Sequence, residues 1–227
     1  MNSARSVRSG QHIASNGLTT ALEKTGNRQA AWRQDPSKGG AAGCIGDIGS
    51  HAFNLAAFVT GLEVEAVCAE ICTFVPDRRV DDHAQVLIRY RGGARGLVWA
   101  SQVAPGEDQR LELAVYGERG GLVWQHDSAE RLVVTQFGDR PRILVRGAAG
   151  MSAAATRSTR LPAGLPEGYF ECFANLYSDV ADAITAKLDG KPVVNPEFPT
   201  VHDGVKVIEF IHACLRSSKA GATWIPL

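Results

Sequence analysis

The sequence predicts an α+β domain, a largely antiparallel open sheet with helices packed on one face. Three observations carry this. Seven short β-rich runs follow one another between residues 64 and 146, joined by turns too short for a parallel crossover. One amphipathic helical stretch precedes them and two follow. Neither G-x-G-x-x-G nor G-x4-G-K-[ST] occurs after an early strand, so no Rossmann unit is predicted.

The elements follow in chain order. The start carries Arg5 and Arg8 among Ser, Asn and Gly, with no acid and no apolar core of a secretory signal. Residues 1–17 are therefore expected to be a disordered or non-native tail, and 18–227 the folded domain. Asp47 to Thr60 reads as a helix: Ile48, Ala52, Leu55 and Phe58 recur at helical spacing, Asp47 can cap it and Gly61 ends it. Strands are predicted at 64–75, 83–90, 95–103, 110–116, 121–125, 131–137 and 142–146. Turns at Gly92-Gly93 and Gly120-Gly121 make hairpins. Gly168 to Leu188 is a helix whose stripe is Phe170, Phe173, Tyr177, Val180, Ile184 and Leu188, stopped by Gly190 and Pro192. Thr200 and Asp203 resemble a capping box opening a last helix with Val201, Val205, Ile208, His212 and Leu215 on one face. The sheet's other face holds Val, Leu and Trp99, which suggests a homo-oligomer formed through it.

Composition excludes several classes. The 227 residues balance 24 Lys+Arg against 24 Asp+Glu, which gives no electrostatic support for a nucleic-acid or anionic-membrane partner. No apolar run reaches the ~18 residues that span a bilayer. At 44% hydrophobic and 21% charged residues the chain is too apolar for global disorder. The five cysteines (Cys44, Cys68, Cys72, Cys172, Cys214) have apolar neighbours and read as small buried core residues, as in a reducing cytoplasm. The C-x3-C spacing of Cys68 and Cys72 is not a common zinc or redox spacing, and no metal is expected.

One constellation has chemical content: Gly43-Cys-Ile-Gly-Asp47-Ile-Gly-Ser-His51. Asp47 and His51 are four apart at a helix start, so both should leave one face into one cleft. An imidazole oriented by a carboxylate can take a proton near neutral pH. Gly39, Gly40, Gly43 and Gly46 would let a ligand approach the backbone closely. A capping Asp beside a partly buried His would give the same spacing. Asp81-Asp82-His83 reads as a solvated loop, and so does the Arg89, Arg91, Arg95 cluster. His202 and His212 read as packing, with Trp99 and Trp124 lying on the sheet.

Trp32-Arg33-Gln-Asp35-Pro36, then Gly39-Gly40, then Gly46-Asp47-Ile48-Gly49-Ser50-His51-Ala-Phe-Asn54-Leu resembles the Gfo/Idh/MocA family of NAD(P)-dependent sugar and inositol dehydrogenases, at the start of its C-terminal domain. Pro166-Glu-Gly-Tyr-Phe-Glu-Cys-Phe-Ala-Asn175-Leu-Tyr177 is similar to the family's penultimate helix, and Asp203-Gly204 to Leu215 to its last. The resemblance implies oxidation of a secondary alcohol of a sugar or polyol. His51 would be the base and Asp47 its positioning partner, with Trp32, Arg33 and Asn175 lining the pocket. It implies NAD or NADP in a complete member, bound by a Rossmann domain that these residues do not supply. No cofactor is expected on this chain alone, and the isolated chain is expected to be inactive. The alternative is a truncated, non-catalytic remnant that oligomerises or binds sugar. Two departures stand out: His12-Ile-Ala-Ser-Asn-Gly17 lacks the family's strand aromatics, and Leu165 occupies a position where relatives tend to place His.

Overall fold

Ala4–His12 forms a strand (β1) in the computed structural model, which describes residues 4–12, 22–107, 109–193 and 198–227. Arg28–Arg33 (α1) and Pro36–Gly39 (α2) are short helices. Ile45–Gly49 winds as a π-helical turn that runs into Ser50–Thr60 (α3), which ends on Gly61 in the left-handed region. The strands then follow as Val64–Cys72 (β2), His83–Tyr90 (β3), Arg95–Ser101 (β4), Arg110–Gly117 (β5), Gly120–Gln125 (β6), Arg131–Gln136 (β7) and Arg142–Val145 (β8). Ala153–Arg157 (α4), Tyr169–Leu188 (α5), Val201–Lys219 (α6) and Ile225–Pro226 (β9) complete the chain.

The short turns give two antiparallel meanders, β2-β3-β4 and β5-β6-β7-β8. β1 joins them, parallel to β4 and antiparallel to β5, so one sheet runs β8-β7-β6-β5-β1-β4-β3-β2-β9. The expected tail over 1–17 is thus corrected for residues 4–12, while 1–3 and 13–17 lie outside the described residues. The segment looked structureless because it is poor in apolar side chains. A central strand is held by backbone hydrogen bonds on both edges, and Val7 adds a side chain 2% exposed in the core.

Alternation along β3 puts Ala84, Val86, Ile88 and Tyr90 on the inner face. They meet Val67, Ala69, Val98 and Leu113 from neighbouring strands, Ala52, Phe53 and Ala56 of α3, and Phe210, Ile211 and Cys214 of α6. The Phe53 and Phe210 rings stack with centroids 4.0 Å apart, tying the two helices together over the sheet. Each fully buried side chain of this size contributes about 1.5–3 kcal/mol. The predicted capping box is present: the Asp203 carboxylate accepts from the Thr200 backbone N–H at 2.7 Å and its hydroxyl at 2.8 Å, which lowers the Asp203 pKa.

Three expectations need correction. α5 does not cover the sheet: none of its residues is buried, and Phe170, Phe173, Tyr177, Ile184 and Leu188 are exposed. Its stripe has the right period, yet only Val180 among its six residues is even half-buried. The cysteines divide, with Cys44 and Cys214 buried, Cys68 and Cys72 half-buried, and Cys172 exposed. Finally, Asp81 and Asp82 are not solvated, being 6% and 0% exposed.

Replacing Val7 with Asp would bury an unpaired charge between the two meanders, and a cost above about 4 kcal/mol is expected. Loss of a cooperative thermal transition checks it. On the outer face, His83 lies 5.3 Å from the Phe74 ring and 6.2 Å from Trp99, and burial pushes its pKa down. The unfolded chain then binds more protons, so stability present above the ordinary histidine pKa is lost as pH falls through the folded value. Between pH 7 and pH 5 the melting temperature should fall more in the wild type than in His83→Gln.

Candidate active site

The π-helical turn that carries Asp47 is held from a distant strap, residues 80–82. The Asp81 carboxylate accepts from the backbone N–H of Gly43 at 2.6 Å and of Ile45 at 2.7 Å, and the Asp81 carbonyl accepts from Cys44 N–H at 2.8 Å. Desolvation raises the Asp81 pKa against the pull of those two amides, and burial with the neighbouring carboxylates pushes the Cys44 thiol well up. Asp82 accepts from Phe74 N–H at 2.8 Å, Val75 N–H at 3.0 Å and the buried Arg78 guanidinium at 3.1 Å. Its carbonyl accepts from Gln102 N–H at 2.8 Å.

This strap explains a glycine. A Cβ on Gly43 would stand 2.0 Å from the Asp81 carbonyl oxygen. The residue is small because the strap presses on one side of it, and Gly39, Gly40, Gly43 and Gly46 all line the cavity beside Asp47. Gly49 is likewise closed by the Ile45 side chain, at 2.7 Å from a Cβ.

Asp47 does not cap the helix, since the turn begins before it and has no side-chain cap. Its carboxylate instead meets Arg33 Nε at 3.3 Å and accepts from Gln102 Nε2 at 3.2 Å. The Arg33 guanidinium also sits 4.6 Å over the Trp32 ring. Trp32, Arg33, Gln34, Asp47, Gln102 and His212 line one cavity of about 370 Å³, closed on one side by Ile208 and Ile211 of α6.

His51 is exposed and lines a neighbouring open cleft of about 650 Å³ with Ser50, Asn54, Thr200 and Gly204. The expectation of one shared cleft is therefore corrected. The structure thus brings Trp32, Arg33 and Asp47 together and leaves His51 next door. Asn175 is in neither cavity: it accepts from Arg160 Nε at 2.6 Å and donates to the Ser158 carbonyl at 2.7 Å, binding the 158–160 segment to α5. Sequence reasoning missed Gln34 and Gln102, which have no motif, and read His212 as packing only. Among the described residues no group of three or more His, Cys, Asp or Glu could hold a metal ion. No helix among them is long and apolar enough to cross a membrane.

Residues 12–123 match the family described as GFO/IDH/MocA C-terminal domain. This chain belongs to the Gfo/Idh/MocA family. It is 28% identical over 198 residues to an uncharacterized oxidoreductase of Bacillus subtilis (strain 168), over 86% of this chain and 50% of that protein. It is 41% identical to an oxidoreductase structure from Sinorhizobium meliloti, with a TM-score of 0.83, over 98% of this chain and 57% of that one. An inositol dehydrogenase homolog from Azotobacter vinelandii complexed with NAD+ gives 29% identity and a TM-score of 0.94, over 99% of this chain and 58% of that one. The Azotobacter vinelandii homolog complexed with NADH and myo-inositol gives 27% and 0.88, over 99% and 57%. This Gfo/Idh/MocA chain therefore spans about half the length of the Bacillus subtilis relative.

Replacing Asp81 with Ala would leave two buried N–H groups without an acceptor, at about 2–4 kcal/mol together. Chemical denaturation should show that loss, with weaker amide-exchange protection at Gly43 and Ile45.

Proposed function

We propose that this chain is the substrate domain of a nicotinamide-dependent sugar or polyol dehydrogenase that oxidises a secondary alcohol. The carrying observation is the Asp47 carboxylate set between Arg33 and Gln102 on a cavity, with His51 one turn further along the same helix. Arg33 donates to substrate oxygens and the half-exposed Trp32 ring offers a face for a sugar's C–H surface. His51 takes the proton of the reacting hydroxyl, building the alkoxide from which a hydride leaves, while Asp47 holds the Arg33 guanidinium that fixes the substrate's oxygens in place. The inositol complex of the Azotobacter vinelandii homolog supports a polyol as the substrate class.

A nicotinamide cofactor, NAD or NADP, supplies the hydride acceptor in such a reaction. The described residues do not fit a dinucleotide phosphate: Gly49 packs against the Ile45 side chain, and Gly92-Gly93 and Gly120-Gly121 sit in hairpins instead of opening a helix after a strand. The chain's own part is to bind and deprotonate the alcohol. The apolar outer sheet face, with Leu87, Trp99, Tyr116 and Ile143 exposed, is the surface through which a second copy would dock.

The test is a fusion of this chain behind the part of the Sinorhizobium meliloti oxidoreductase that it does not cover. Polyol-dependent NADH formation is expected, and His51→Ala should lower kcat about 10²–10⁴-fold. A folded fusion that reduces NAD+ and NADP+ with no sugar or polyol would remove the dehydrogenase reading. Undiminished turnover in His51→Ala would remove the base assignment alone.

A further inference from the structure

The cavity beside Asp47 contains a hydrogen-bond chain whose direction is fixed at one end and unfinished at the other. A carboxylate only accepts, so the Gln102 amide must turn its Nε2 toward Asp47, at 3.2 Å. Its Oε1 then faces Gln34 and accepts from Gln34 Nε2 at 3.4 Å. That leaves Gln34 Oε1 pointing away from the chain's donors, buried and without a hydrogen-bond partner among the described residues. Both amides are almost wholly buried, Gln34 at 4% and Gln102 at 2% exposed, so neither can rotate into solvent to relieve the mismatch. The main chains on either side are also pinned. Gln102 N–H is bonded to the Asp82 carbonyl, and Gln34 N–H to the Ala30 carbonyl at 3.1 Å. Flipping Gln102 would set its oxygen against the Asp47 carboxylate, which is a worse arrangement than the orphan acceptor.

A buried acceptor left in this state is costly until a donor meets it. Gln34 lines the cavity, so a donor seated there against its buried amide is the one that would complete the chain. We propose that Gln34 is a specificity-determining residue of this cavity, its Oε1 accepting a hydrogen bond from a substrate hydroxyl, with Gln102 as the positioning residue that sets its polarity from Asp47. This rests on the polyol reading given above. It adds that the cavity discriminates at one particular hydroxyl, distinct from the reacting one. A site built to accept a hydroxyl proton rejects analogues that cannot donate one, because the buried oxygen is then left unpaired.

The test uses this chain and myo-inositol as the probe, with affinity read by saturation-transfer NMR and Trp32 as an internal reporter. Gln34→Met keeps the length of the side chain and removes its acceptor, and its thermal melt is compared with the wild type to separate folding from binding. A set of monodeoxy-fluoro inositols replaces each hydroxyl in turn with a group that cannot donate. Gln34→Met should weaken myo-inositol binding about tenfold. Against the congener fluorinated at the hydroxyl facing Gln34, wild type and variant should bind alike. A purely structural role for Gln34 would lower affinity for every congener by the same factor, and that outcome overturns the proposal. Wild-type binding that Gln34→Met leaves unchanged overturns it as well, while keeping the polyol pocket. Absence of saturable binding of any inositol by the wild type overturns the pocket reading and this inference with it.

Discussion

Two backbone amides at the entry to the site, those of Gly43 and Ile45, end on one buried carboxylate, that of Asp81. A helix start ordinarily leaves such amides to water or to a capping side chain in its own segment. Here the acceptor comes from across the fold, and this releases Asp47 from capping duty. Its carboxylate can then face Arg33 and Gln102. The same strap pins Gln102 through the Asp82 carbonyl, so both ends of the Asp47–Gln102 bond are positioned by adjacent residues. The cavity's geometry is therefore only as firm as a strap of three residues, which Arg78 and the Asp82 carboxylate brace from beneath.

Much of the fold was legible in the pattern of side chains. The β-rich runs became β2 to β8 with ends shifted by a few residues, because alternation and tight turns are local properties that the sheet leaves intact. Thr200 and Asp203 formed their box for the same reason. What failed depended on distant surroundings. β1 carries little apolar signal and is held by the backbones of β4 and β5. α5 carries a strong apolar signal and stays exposed.

At the site, Asp47 was readable from its glycine-rich run, Trp32 and Arg33 came only with the family resemblance, and the chain brings all three onto one cavity. Gln34 and Gln102 were not readable, since two amides so far apart in sequence have no spacing that marks them as partners. The buried acids at Asp81 and Asp82 looked like a solvated turn, as charged pairs beside a strand usually are. Their burial depends on amides contributed by the Gly43 turn and by the Phe74–Val75 backbone.

The position of β1 also dictates an order of events as the chain emerges during synthesis. It precedes in the chain both strands that flank it, Arg95–Ser101 and Arg110–Gly117, by many residues. The β2-β3-β4 hairpins can close among themselves, whereas β1 must wait, unpaired on both edges, until the slot between the meanders exists. Its scarcity of apolar side chains, which hid it from view, makes that wait safe: a polar ribbon is poor bait for other nascent chains.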